Sequence, residues 1–424
     1  MTDAADSPRP PVSVVRSVVG NRVTLWIGFV AVHFWLGMLA LFGPGFPLGD
    51  VVVVYKQWID QVVVNDFWVG IDAPWVYPVV AIVPMLAAFA LGPDLYGSTW
   101  ISIVMLLDAV AFASITGWLA SKNRAVVAWW WLGFLVLLGP IAVARIDAIT
   151  VSLAIVGVLL LATRPTAAGV VLAVATWIKV WPAAVIAAVV IASRHRRDVV
   201  VAALGTSAVV VAFALLFGSG AHVFSFITEQ TGRGLQVEAP ITTFWMWAAA
   251  LGAPNTYVYF DNDILTYQVV GSGVSVAAAV MTPILAVVAL GVAGVGVWAV
   301  RRGAAAADLI APLSLAIVVT LIAFNKVGSP QFISWLAVPV VLGLATRLAG
   351  RGRPFGVPAG LVLLVAALTQ SFYPYLYNDL LSLDPVLLAL LTLRNLLLFV
   401  LLAWAVRAVV LTGRHAASAP LPRT

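Results

Sequence analysis

The sequence predicts an all-α polytopic membrane protein, a bundle of about twelve transmembrane helices, and three observations predict it. Of the 424 residues, 63% are hydrophobic and 9% charged, whereas soluble chains carry roughly 25% charged residues. Apolar runs recur along almost the whole chain, many near the ~20 residues a bilayer-crossing helix needs. They lack the strict alternation of barrel strands. Basic residues gather in alternate gaps between these runs, as the positive-inside rule demands of a multi-pass chain.

The first run, 24–43, is too long for a signal-peptide core and no small-x-small cleavage site follows it, so it reads as a retained anchor. Further spans are drawn at 97–119, 125–140, 147–163, 167–180, 181–193, 198–217, 276–300, 306–323, 331–346, 356–370 and 384–409. Segments 167–180 and 181–193 are short and meet near Lys179 and Pro182, as a broken hairpin would. Counting 75–91 as a span would invert every later basic cluster, so 51–65 and 75–91 are expected to lie along or dip into the outer face. Residues 23–409 are read as one transmembrane domain, flanked by short disordered tails, 1–22 and 410–424. "GVAGVG", Gly291 to Gly296, lies inside an apolar span and predicts close helix packing.

Charge sets the orientation. Seventeen of the 23 Lys and Arg residues fall on one side of this drawing, from Arg9 through Arg194, Arg301 and Arg353 to Arg423. That side is expected to be cytoplasmic, with both termini. Twelve of the 17 acidic residues fall on the other, where the long loops 44–96, 218–275 and 371–383 also lie. A chain whose polar mass sits outside is expected to work there, on the extracytoplasmic face of the plasma membrane. The absence of cysteine excludes disulfide, thiol and Cys-zinc chemistry. No aromatic-basic pattern suggests nucleic acid.

Six cations break the positive-inside pattern: Lys56, Arg145, Lys179, Arg233, Lys326 and Arg394. Ionisable groups in or at the edge of lipid are costly and usually functional. Five lie in outer clusters: "YKQW" after Asp50, with Tyr55 and Trp58; "RID", Arg145 to Asp147; "WIKVWP" around Lys179; "RGLQVE", with Arg233, Gln236 and Glu238; and "NKVGSPQ", with Lys326, Ser329 and Gln331. "APWVYP", with Tyr77, and "QSFYPYLYND", Gln370 to Asp379, add aromatics. Arg394 lies inside the last span and is expected to pair with a carboxylate in the bundle. Aromatic faces beside cations and carboxylates suit a sugar, and Arg and Lys suit a phosphate. Each cluster has a structural reading beside it. Asp50 can cap a helix, Arg145 can pair with Asp147, Arg233 with Glu238, and Lys179 can snorkel to the interface.

In this order, an Asp early in the first outer loop, a Tyr-Pro segment, "ARIDA", "IKVWP", "RGLQVE" and "NKVGSPQ" resemble the actinobacterial members of glycosyltransferase family 87. The likeness covers about 24–405; "YPV" and a histidine-free "NKVGSPQF" depart from common members. It implies a GT-C-like fold, a polyprenyl-phosphate-sugar donor, usually of mannose, and a glycolipid or glycan acceptor on the outer face. An inverting reaction with Asp50 as base is implied as well. The donor is expected on Arg145, Asp147, Lys179, Arg233, Gln236, Glu238, Lys326, Ser329 and Gln331, and the sugar on Tyr55, Trp58 and Tyr77. A lipid phosphate is already a good leaving group, so no metal or other cofactor is required; Asp50 and Asp147 are the carboxylates available to hold one. The competing reading is a flippase or transporter of a lipid-linked sugar, against which stand the absence of repeated halves and the concentration of polar groups at one face.

Overall fold

The computed structural model describes residues 19–117, 124–229 and 232–418. Most of the first tail, Lys122 and residues 419–424 lie outside these. Twelve apolar helices run back and forth through a bundle: α1 Arg22–Phe42, α2 Tyr96–Thr116, α3 Ala125–Leu138, α4 Ile146–Leu160, α5 Pro165–Ile178, α6 Ala183–Ala192, α7 Arg196–Leu216, α8 Val274–Arg301, α9 Ala306–Ala323, α10 Ala337–Leu348, α11 Gly356–Phe372 and α12 Pro385–Ser418. A 3₁₀ stretch, Pro330–Leu336, leads into α10. Among the described residues, eight helices, counting these lead-in turns, are long and apolar enough to cross a membrane; α4, α5, α6 and α11 are shorter. The chain is therefore an all-α polytopic membrane protein.

Helix length follows position in the bundle. α9 is mostly buried, packed against α6, α8 and α12, whereas α7 and α8 turn most of their surface outward. α4 packs on α2 and α5. At 1.5 Å per residue α4, α5 and α6 measure about 22, 21 and 15 Å, less than the ~30 Å hydrocarbon core. Side chains at their ends therefore sit below the rim that the longer helices reach. Segment 75–91 does not cross, because its helix, Ile82–Ala87, has six residues. Segment 51–65 is a π-helical turn, Asp50–Tyr55, continued by an α-helix, Lys56–Asn65.

Two expectations need correction, and the second long loop holds structure of its own. Residues 410–418 are not a tail but the end of α12. Gly413 does not stop that helix; lacking a Cβ, it lets α12 lie against Trp298 and Ala299 of α8. In "GVAGVG", only Gly296 is a packing residue, against Leu313; Gly291 and Gly294 face open space. The second long loop is not irregular throughout: Tyr257–Asp261 and Thr266–Val270 form a two-stranded antiparallel hairpin, Tyr257 opposite Val270.

One polar group is sealed among the helices. His33 of α1 places Nε2 3.0 Å from Asp108 Oδ2 of α2 and Nδ1 2.9 Å from the Phe29 carbonyl. Ser152 of α4 donates to Asp108 Oδ1.

Candidate active site

The outer clusters converge at one end of the bundle. α1 ends at Phe42, and a turn-rich segment brings the chain to Asp50. Gly45 takes φ +79°, and a Cβ there would collide with the Pro374 carbonyl, so the loop after α11 backs this turn. Asp50 opens the π-helical turn, but its side chain does not cap it. Its Oδ2 lies 2.9 Å from Arg145 Nε, an ion pair without the alignment of a hydrogen bond. The Asp50 side chain is 42% exposed and that of Arg145 6%.

Arg145 precedes α4 in extended backbone, φ −146°, ψ 160°, which turns it away from Asp147 in the first turn. Its Nη1 donates to the carbonyls of Pro47 and Ala144, and its Nη2 to Tyr373 Oη at 2.6 Å. Burial disfavours the charge, but Asp50 and the surrounding tyrosine oxygens outweigh it and raise the Arg145 pKa above its ordinary value. Of the readings open for this cluster, the Arg145–Asp147 pair is not formed; Arg145 pairs with Asp50.

Asp147, 1% exposed, accepts from Lys179 Nζ at 2.8 Å and Trp335 Nε1 at 2.6 Å. Trp335 is held by Trp181, whose ring stacks on it at 5.4 Å. The Lys179 ammonium also lies 5.3 Å from the Tyr77 ring and 5.4 Å from Phe332, each a cation–π contact. Burial works against its charge, yet Asp147 and Tyr77 raise its pKa. Lys179 is therefore a committed ion-pair partner and not merely a snorkelling side chain.

The aromatics gather beside these pairs. Trp58 stacks on Tyr55 and meets Tyr77 and Trp75 edge-on. Tyr55 and Trp75 are buried; Trp58 and Tyr77 keep partly open faces. Of the three sugar-facing residues expected, Tyr55 lies behind the other two, its hydroxyl 3.4 Å from the Ile146 amide.

The second loop and the 325–329 turn close the other side. Gln236 N–H donates to the Lys326 carbonyl at 3.0 Å, and Val237 and Leu235 pair with the backbone of Thr266–Val270. Gly328 packs so tightly on Ala239 that no Cβ fits. Lys326 is buried, 6% exposed, and burial lowers its pKa. Ser329 donates to Gln331 Oε1. Arg233 is half-buried, and burial lowers its pKa, opposed by Tyr77, Glu229 and Asp261. Glu238 does not pair with Arg233. It is 2% exposed and lies 3.1 Å from Arg394 Nη2, the intrabundle pair expected for that arginine. Burial pushes its carboxyl up to about 7, against the pull of Arg394 and a hydrogen bond with Tyr377.

Tyr373, Trp335 and Trp181 belong to the site but were not singled out from the sequence. Tyr373 lies within the aromatic "QSFYPYLYND" stretch and Trp181 within "WIKVWP", which mark clusters without ranking their members; Trp335 lies in no quoted cluster. Among the described residues, no group of three or more His, Asp or Glu could hold a metal ion.

The arrangement can present an accessible carboxylate, open aromatic faces and recessed cations to one substrate. No curated protein and no solved structure matches the chain. The sequence profile of glycosyltransferase family 87 matches residues 75–324, a stretch that holds Tyr77, Arg145, Asp147, Lys179, Arg233 and Glu238 but neither Asp50 nor Lys326. That match covers more than half of the chain, and with the converging outer clusters it shows that the protein belongs to glycosyltransferase family 87.

Proposed function

We propose that this membrane glycosyltransferase moves a sugar, mannose, from a polyprenyl-phosphate donor to a hydroxyl of a cell-envelope glycolipid or glycan. The reaction takes place at the outer face of the plasma membrane, with inversion, and Asp50 is the base. The observation that carries this reading is the pairing of an accessible carboxylate at the rim with a recessed ammonium below it: Asp50 is 42% exposed, Lys179 15%.

Counting N–H groups divides the cations by task. Arg145 has five; two go to carbonyls, one to Tyr373 and one lies beside Asp50, leaving one. It is a brace for Asp50 rather than a phosphate ligand. Lys179 has three and gives one to Asp147. Lys179, beside Tyr77, and Arg233, in the loop that the 236–326 backbone contact ties to Lys326, are the phosphate partners, with Lys326 flanking them. A lipid phosphate can reach this depth while its chain stays among the helices.

The acceptor hydroxyl binds at Asp50 with the sugar against Trp58 and Tyr77. Its oxygen attacks the anomeric carbon from the side away from the phosphate. The new C–O bond forms as the bond to the phosphate oxygen breaks, Asp50 takes the hydroxyl proton, and the lipid phosphate leaves with the bonding pair. Lys179 and Arg233 stabilise that growing charge, and Asp50 acts as general base. Each carboxylate is already matched to a cation, which supports a reaction that needs no metal. Mannose is the sugar that the family resemblance implies.

Purified protein given radiolabelled polyprenyl-phosphate mannose and a panel of glycolipids is expected to form product, in the presence of EDTA as well. Transfer from nucleotide sugars alone would overturn the donor. For the orientation, Asp66→Cys and Asp261→Cys should each react with an impermeant thiol reagent on intact spheroplasts; labelling only after lysis would invert the topology.

A further inference from the structure

At the end of the bundle opposite Asp50, a cavity of about 420 Å³ opens between the connections that follow α8 and α10, the start of α9 and the last turns of α12. Four side chains give it chemistry: Arg353, His415, Thr412 and Asp308. Thr412 Oγ1 accepts from Arg353 Nη1 at 3.1 Å and itself donates to the Ala408 carbonyl at 2.8 Å. This bond fixes one edge of the guanidinium and leaves its remaining N–H groups for an anion. Asp308 lines the same cavity, and among the described residues it forms no ion pair with Arg353 or His415.

Depth selects the kind of anion. Thr412 lies about 40 Å along the α12 axis from Pro385 at 1.5 Å per residue. A bilayer measures ~30 Å across its hydrocarbon and ~40–45 Å with its headgroups. With Pro385 at the outer boundary, the cavity sits at the headgroup level of the far leaflet. Basic pockets between helices at this level take lipid headgroups. A phosphate alone would match Arg353 and His415 and leave Asp308 facing it without a partner. A headgroup with a hydrogen-bond donor beyond its phosphate matches all three.

We propose that this cavity binds the headgroup of a glycerophospholipid, its phosphate on Arg353 and His415 and its terminal ammonium or hydroxyl on Asp308. Phosphatidylethanolamine and phosphatidylglycerol carry such a donor; the quaternary ammonium of phosphatidylcholine does not. The site is separate from the transfer site and does not depend on what is transferred.

Thermal unfolding of the full-length protein in detergent tests this, with dioleoyl forms of the three lipids, or inorganic phosphate, added. Phosphatidylethanolamine and phosphatidylglycerol are expected to raise Tm by roughly 3–6 °C at saturation, and phosphatidylcholine and phosphate to leave it unchanged. Arg353→Gln with His415→Gln should abolish the rise. Asp308→Ala, which removes the acceptor, should erase the preference, so that all three lipids act alike. An equal rise with phosphatidylcholine in the unaltered protein overturns the proposal, as does a rise retained in the Arg353→Gln, His415→Gln protein. An equal rise with inorganic phosphate would mean a soluble-anion site and overturns the lipid. Should the double variant not fold, a headgroup preference that survives Asp308→Ala overturns the assignment by itself.

Discussion

Asp50 and Asp147 lie at the same end of the bundle, each within 2.9 Å of a cation, yet their surroundings differ: the first side chain is 42% exposed, the second 1%. Asp147 spends both oxygens on internal partners, Lys179 Nζ and Trp335 Nε1. Asp50 meets Arg145 with one oxygen, and its side chain stays accessible. A buried carboxylate with both oxygens engaged holds structure, because leaving a buried charge without its partner is costly. An exposed carboxylate steadied by a braced cation is free to take up a proton. Exposure, more than the identity of the partner, separates the carboxylate we propose as the base from the one that holds the floor in place.

The largest expected effect falls on the rim. Asp50→Asn should fold and insert normally while turnover falls roughly 10²–10⁴-fold, read from initial rates at saturating donor. Wild-type turnover in this variant would abolish the distinction between the two carboxylates. The floor should respond in the opposite way. Lys179→Ala strands the Asp147 charge, and losing one member of a buried pair costs about 3–5 kcal/mol, so the Tm in detergent should drop sharply along with donor use. Lys179→Met combined with Asp147→Leu should regain much of the stability and none of the activity. Lys326→Ala, at a buried cation beside the second loop, should weaken donor use less than Lys179→Ala, read as a rise in KM for the donor.

A milder effect concerns pH. Burial raises the Glu238 carboxyl from an ordinary 4.5 to about 7. An acid whose pKa rises on folding keeps its proton better in the native state. Its contribution to stability is therefore complete below about pH 4.5 and lost as pH climbs through about 7. Glu238→Gln should flatten the denaturation midpoint across that window. The smallest effect belongs to the brace: Tyr373→Phe removes one hydrogen bond to Arg145, about 1 kcal/mol, and should lower kcat a few-fold with KM for the donor unchanged.

Much of the fold was legible in the sequence because lipid demands long apolar helices, and basic residues mark the ends. All twelve drawn spans correspond to helices, and the short pair around Lys179 was visible as such. The end of α12 was not, since Gly413 looks like a stop and is instead a packing notch for α8. The hairpin carries its own signal, aromatic and β-branched residues on either side of "DNDIL", which a reading built on helices passes over. The site clusters were legible as clusters, but their pairings were not. Sequence proximity offers pairs such as Arg145 with Asp147, whereas residues one or two apart at a helix start point apart. The partners actually used, Asp50 with Arg145 and Asp147 with Lys179, depend on helix order in space.

The sealed group joining α1, α2 and α4 has a consequence of another kind. The Phe29 carbonyl can only accept, so His33 Nδ1 carries a hydrogen. The contact between His33 Nε2 and Asp108 Oδ2 then holds one further proton. Whether that proton rests on nitrogen or on oxygen, the two side chains sum to zero charge. A transmembrane voltage does work on a moving group only in proportion to its net charge, about 2.3 kcal/mol per unit charge per 100 mV. Any shift of these three helices during a catalytic cycle therefore carries no gating charge from this pair, and the energised membrane neither drives nor resists it there.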